Sequence, residues 1–101
     1  MSDVRTVMVR YETRADTADD NQALVEGVYA ELAAEHPEGL RYLTLRLADG
    51  VTFVHIALVE GPDNPLERSA AFATFQQGIA ERCSVPPTPS RATVVGSYGF
   101  L

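Results

Sequence analysis

Lysine and tryptophan are absent from this 101-residue chain, which carries a single cysteine and two histidines. One cysteine, Cys83, cannot form an intramolecular disulfide and suits a reducing compartment. His36 and His55 lie far apart, and Asp16, Asp19 and Asp20 lack the spacing of a calcium loop, so no metal site is expected. No stretch approaches the roughly 18 consecutive apolar residues of a membrane-spanning helix. Met1-Ser2-Asp3-Val4-Arg5 has no basic segment leading into an apolar run, so no signal peptide is expected either. Positive charge is short as well. Eight arginines face fourteen acids, for a net charge of −6 and a pI near 4.7, which removes the basic footprint that nucleic acid or an anionic membrane would require. The expectation is a cytoplasmic protein with neither nucleic-acid nor membrane partner.

What remains is an ordinary globular composition, 46% hydrophobic and 22% charged, at a length that suits one domain over residues 1–101. Val4 to Thr13 alternates as a strand, with Val7, Val9 and Tyr11 on one side and Met8, Arg10 and Glu12 on the other. Thr17-Ala18-Asp19-Asp20 reads as a helix start, the Thr17 hydroxyl capping an amide and the acids suiting the positive helix end. Leu24, Val25, Val28, Tyr29 and Leu32 make a stripe at helical spacing to about His36, whose imidazole complements the negative helix end. Pro37 and Gly39 stop that helix.

Leu40 to Ala48 reads as a second strand, with Leu43, Leu45 and Leu47 on one face and Tyr42, Thr44 and Arg46 on the other. Ala48-Asp49-Gly50 is a tight turn into a third strand, Val51 to Glu60. Asn64-Pro65-Leu66-Glu67 starts a second helix whose buried stripe is Phe72, Phe75, Ile79 and Cys83. The proline-rich Val85 to Ser90 reads as an extended linker, and Arg91 to Leu101 as a last strand.

The order β-α-β-β-α-β predicts an α+β, ferredoxin-like fold: a four-stranded antiparallel sheet with both helices on one face. The third strand is apolar on both faces, with Phe53, His55, Ala57 and Val59 on one and Val54, Ile56 and Leu58 on the other. Two helices cover only one side. Leaving Phe53, Ala57 and Val59 in water would waste roughly 1.5–3 kcal/mol per large side chain, so a second copy meeting the first sheet to sheet is expected. A homodimer follows.

With these elements in place the chain resembles the antibiotic biosynthesis monooxygenase-like (ABM) domains of the dimeric α/β-barrel superfamily, over nearly its whole length. The likeness rests on Val7-Met8-Val9-Arg10-Tyr11 before an acidic helix start, Glu38-Gly39-Leu40 opening the second strand, Phe53-Val54-His55 in the third, and Ala71-Phe72-Ala73-Thr74-Phe75 in the second helix. It implies a homodimeric α/β barrel whose sheet-side cavities take flat aromatic, quinol or polyketide-like molecules. Some members oxygenate such molecules with no metal or flavin, so the resemblance implies no cofactor. Two departures stand out. Ser69 occupies the place of a histidine that many active members carry in the second helix, and the tryptophan used by several oxygenases and by the haem-degrading members is missing.

His55, mid-strand among apolar neighbours, is the leading candidate for a general base that removes a phenolic or enolic proton. Arg46 is the candidate for steadying the resulting anion. Tyr42, Thr44, Phe53 and Tyr98 are the candidate substrate-binding residues, lining a mostly apolar pocket with a few convergent polar groups. The expectation is an ABM-like protein that binds a small aromatic, quinol or polyketide-like molecule, with cofactor-independent monooxygenation as the candidate activity. The alternatives are a non-catalytic binding or interaction module, and a cofactor-free isomerase or cyclase on the same scaffold.

Overall fold

Alternation in the first strand and helical spacing in the segment after it decide the central layer. In the computed structural model, which describes residues 4–100, β1 (Val4–Thr13) lies in the middle of a four-stranded antiparallel sheet ordered β2-β3-β1-β4. Its neighbours are β3 (Thr52–Glu60) and β4 (Cys83–Ala92), and β2 (Leu40–Arg46) forms the far edge. This is the predicted α+β, ferredoxin-like arrangement.

Helix α1 (Ala18–Glu35) buries Ala18, Asn21, Val25 and Val28, a spacing of three and four that keeps one stripe on the sheet. It ends at His36, whose left-handed backbone (φ 48°) lets its N–H reach the Leu32 carbonyl at 2.8 Å. Gly39 follows at φ +79°, and a Cβ there would stand 3.1 Å from the Glu60 carbonyl oxygen, so both backbone angle and space require glycine. The β2–β3 turn is held by the Asp49 carboxylate, which accepts from the amides of Val51 at 3.0 Å and Thr52 at 2.8 Å.

Three local expectations are corrected. The Thr17 hydroxyl does not cap α1; it donates to the carbonyls of Arg14 at 3.2 Å and Arg82 at 2.8 Å. The second helix is not continuous. Asn64 caps only a single 3-10 turn, Pro65–Arg68, by accepting from the Leu66 amide. Ser69 is extended and recaps α2 (Ala70–Gln76), and Gly78 at φ 72° separates it from α3 (Ile79–Arg82). Ser69 thus holds two elements together. Its Oγ accepts from the Phe72 amide at 2.9 Å and donates to Glu31 of α1.

The last strand is also shifted. The proline-rich segment is itself β4, and the chain beyond Ala92 is not a strand; Leu101 lies outside the described residues, as do Met1 to Asp3. Prolines lack the amide that a central strand needs, but β4 is an edge strand, where one side asks for no donor.

Register fixes the faces. Val9 pairs with His55, Tyr11 with Phe53, Thr44 with His55 and Arg46 with Phe53. Tyr11, Phe53, Val25, Val28, Leu66 and Phe75 then form the core between sheet and helices. The Phe53–His55–Ala57–Val59 face, expected to be uncovered, is therefore the helix-covered one. The open face carries Val54, Ile56 and Leu58 of β3 beside Met8, Leu43 and Leu45, which are 39–43% exposed. Alternation alone could not choose between two faces that are both apolar.

Candidate functional site

The helix-covered face gathers an unusual number of polar aromatic groups around one imidazole. His55 in β3 is 5% exposed. Its Nε2 lies 2.8 Å from the Tyr11 hydroxyl of β1, and its Nδ1 lies 2.6 Å from the Tyr42 hydroxyl of β2. Thr44 Oγ1 stands 3.3 Å from the same Nδ1 and 2.8 Å from the Tyr29 hydroxyl of α1. On the Tyr11 side, Asn21 Nδ2 donates to the hydroxyl at 2.9 Å, and Arg82 Nε donates to Asn21 Oδ1 at 3.1 Å. Five elements meet in this network.

Aromatic rings enclose it. Tyr11 stacks on Phe53 at 5.5 Å between centroids, and Tyr29 stacks on Tyr42 at 5.3 Å. Phe75 lies 5.3 Å from the imidazole, and Phe72 meets Tyr42 edge-on at 6.5 Å. Tyr11 is 1% exposed, whereas Tyr42 and Tyr29 are only partly buried, so the cluster is sealed at β1 and thinner toward β2.

Burial sets the protonation states. Desolvation pushes the His55 pKa down to about 4, so the imidazole is neutral at physiological pH. It pushes the Tyr11 hydroxyl up to about 12, despite the Asn21 hydrogen bond that opposes it, and raises Tyr42 in the same direction. The seam therefore disfavours charge on every group that touches the imidazole.

The candidate residues separate cleanly. Tyr42, Thr44, His55 and Phe53 are brought together on one face, and Phe53 forms a wall behind Tyr11. Arg46 shares that face but is directed away from the imidazole. Its Nε donates to the Gly50 carbonyl at 2.9 Å, and its Nη1 donates to Asp19 at 3.1 Å and Gln22 at 2.7 Å, strapping the hairpin to α1. Its guanidinium carbon lies 5.5 Å over the Phe53 ring. Tyr98 is 95% exposed in the segment after β4 and does not join the cluster. The sequence reading missed Tyr11, Asn21, Tyr29 and Arg82 as site residues. Tyr11 and Tyr29 had a signal, each a polar aromatic side chain on an apolar stripe, and Asn21 lies one turn before Val25 on the stripe of α1.

Among the described residues, no three metal-ligating side chains come together, and no helix is long and apolar enough to cross a membrane. Two grooves, of about 730 and 400 Å3, lie on the other side of the sheet; the smaller is lined by Leu43, Ile56, Leu58, Val94 and Phe100.

No protein-family model and no curated protein matches this chain. Solved structures do. A candidate antibiotic biosynthesis monooxygenase of Nitrosomonas europaea superposes with a TM-score of 0.76 at 15% identity, over 98% of this chain and 97% of its own. Rv0793 of Mycobacterium tuberculosis does so at 0.71 and 18% identity, over 94% and 98%. A variant of SnoaB, a cofactor-independent oxygenase of Streptomyces nogalater, does so at 0.65 and 16% identity, over 96% and 98%. The chain therefore has the fold of antibiotic biosynthesis monooxygenase proteins.

Proposed function

We propose that this protein is an ABM-like binder of a small aromatic molecule bearing a phenol, quinol or quinone oxygen, held at His55 between sheet and helices. One observation carries this reading: the imidazole already holds two phenol hydroxyls, one on each nitrogen, inside an aromatic enclosure. Tyr11 is 1% exposed, whereas Tyr42 is only partly buried, and this reading requires its ring to turn outward. A flat ligand in its place meets Nδ1, Thr44, and the rings of Tyr29 and Phe72. Lacking tryptophan, the protein leaves the fluorescence of 1-naphthol free as a probe. Tyr42→Ala, which opens that slot, is expected to bind 1-naphthol roughly tenfold more tightly, and His55→Phe to lose binding. Equal affinity in wild type, Tyr42→Ala and His55→Phe would sink the proposal.

A second reading, cofactor-independent monooxygenation, is favoured by the shared fold with an oxygenase of that kind. As a base, an imidazole near 4 lies about six units below an ordinary phenol near 10, so full proton transfer is uphill by about 8 kcal/mol. The general-base role of His55 thus belongs to substrates far more acidic than phenol, such as polyketide-like enols. Oxygen uptake with such enols, lost in His55→Phe, is the outcome this second reading expects, and it needs an unprotonated Nδ1 facing the substrate.

The protein is further proposed to act as a homodimer, the open faces meeting. Its open face leaves Met8, Leu43 and Leu45 in water beside Val54, Ile56 and Leu58. Sedimentation is expected to give a dimer for wild type and a monomer for Ile56→Asp, since a buried unpaired carboxylate is strongly unfavourable.

A further inference from the structure

The hydrogen-bond chain from Arg82 to Tyr42 has a direction. Arg82 Nε carries only a proton, so the Asn21 atom facing it at 3.1 Å is the carbonyl oxygen. The Asn21 amide nitrogen must then face Tyr11 and donate to its hydroxyl oxygen at 2.9 Å. Tyr11 is 1% exposed, so its own proton cannot go to bulk water. The acceptor within reach is His55 Nε2, at 2.8 Å. A neutral imidazole carries one proton, which is left to Nδ1, aimed at Tyr42 at 2.6 Å.

We infer that Arg82, Asn21 and Tyr11 are positioning residues that lock His55 as the Nδ1–H tautomer, making it a hydrogen-bond donor to whatever occupies the Tyr42 position. Arg82 is itself fixed. Its Nη1 donates to the Gln77 carbonyl at 2.9 Å and its Nη2 to the Phe75 carbonyl at 2.5 Å, so the guanidinium cannot turn without abandoning the end of α2. The orientation of one buried arginine is passed through an amide and a phenol to an imidazole in the middle of the sheet.

For ligand choice the inference rests on the binding reading proposed above. A donor at Nδ1 selects an acceptor oxygen: a quinone carbonyl, which brings no proton of its own, or a phenol oxygen. An aromatic amine of the same shape would set donor against donor. Wild type is expected to bind 1,4-naphthoquinone and 1-naphthol roughly tenfold more tightly than 1-naphthylamine.

The lock itself is tested without any ligand, by the nitrogen chemical shifts of the His55 ring in 15N-labelled protein at neutral pH. The expected result is a protonated-type shift at Nδ1 and an unprotonated-type shift at Nε2. The reverse pattern, or two averaged shifts, overturns the lock whatever the protein binds. Asn21→Asp then tests the relay. A carboxylate still accepts from Arg82 but also accepts from Tyr11, whose oxygen becomes free to accept from Nε2–H. The tautomer is expected to invert and the preference against 1-naphthylamine to disappear. An unchanged tautomer in Asn21→Asp means that the relay does not set it. Should that variant not fold, the wild-type shifts decide alone. A locked tautomer with no affinity for any of the three naphthalenes leaves the relay standing and removes the binding reading.

Discussion

Arg82→Met is expected to lower the unfolding free energy by about 3–5 kcal/mol, read from urea denaturation at neutral pH. Three buried or partly buried acceptors lose their donor: Asn21 Oδ1 and the carbonyls of Phe75 and Gln77. Each orphaned buried acceptor costs about 1–3 kcal/mol, less where water can reach it, as it can near Gln77. Methionine keeps most of the apolar packing on the Phe75 ring, over which the guanidinium carbon sits at 5.5 Å. Burying a guanidinium has its own desolvation penalty, and the substitution relieves it. A loss below about 1 kcal/mol would therefore mean that desolvation cancels the hydrogen bonds. Arg82→Lys keeps the charge without the fork, and is expected to recover only part of the loss.

Acid is expected to destabilise the protein through His55 by about 3 kcal/mol as pH falls from about 6.5 to about 4. Burial depresses the folded-state pKa from 6.5 to about 4, so in that window the unfolded chain binds a proton that the folded chain refuses. Stability thus rises with pH across the window and is fully present above it. Below the window both states are protonated and the difference no longer grows. At 5% exposure solvent screening is small, so little of the shift is discounted. Carboxylates titrate nearby, so the comparison is with His55→Gln, which keeps two polar atoms and has no proton to gain. At one fixed protein concentration, wild type should lose about 3 kcal/mol more than His55→Gln between pH 7 and pH 4. Equal losses would mean that the imidazole takes up its proton in the folded state at an ordinary pH.

How much of the site was legible follows from its parts. That His55, Tyr42 and Thr44 stand out was legible, because a polar residue inside an apolar strand, or a polar face on an amphipathic one, is visible in a two-residue period. Tyr29 was read as part of a helical stripe, since an aromatic ring at that spacing packs whether or not its hydroxyl has a partner. Asn21 was lost among the acids of a helix start, although it is completely buried. Arg82 gave no signal, because its role depends on the helix interruption at Gly78, after which its guanidinium reaches the Phe75 carbonyl of α2. The partners of Arg46 were not legible, because Asp19 and Gln22 approach it only after α1 folds over the β2–β3 turn.

The sequence by itself determined the element order, the α+β class and the alternation that puts Tyr42, Thr44 and Arg46 on one face, because those follow from local periodicity and turn chemistry. Tertiary structure alone decided which face of the two-sided third strand the helices cover, since only strand register places Tyr11 beside Phe53 and Thr44 beside His55. It also decided that proline-rich Cys83–Ala92 is a strand, because an edge position tolerates missing amides. The direction of the Arg82–Asn21–Tyr11–His55 chain belongs to the same category. Donor and acceptor roles are fixed by which atoms meet, and those four residues, up to 71 positions apart, meet only in the folded chain.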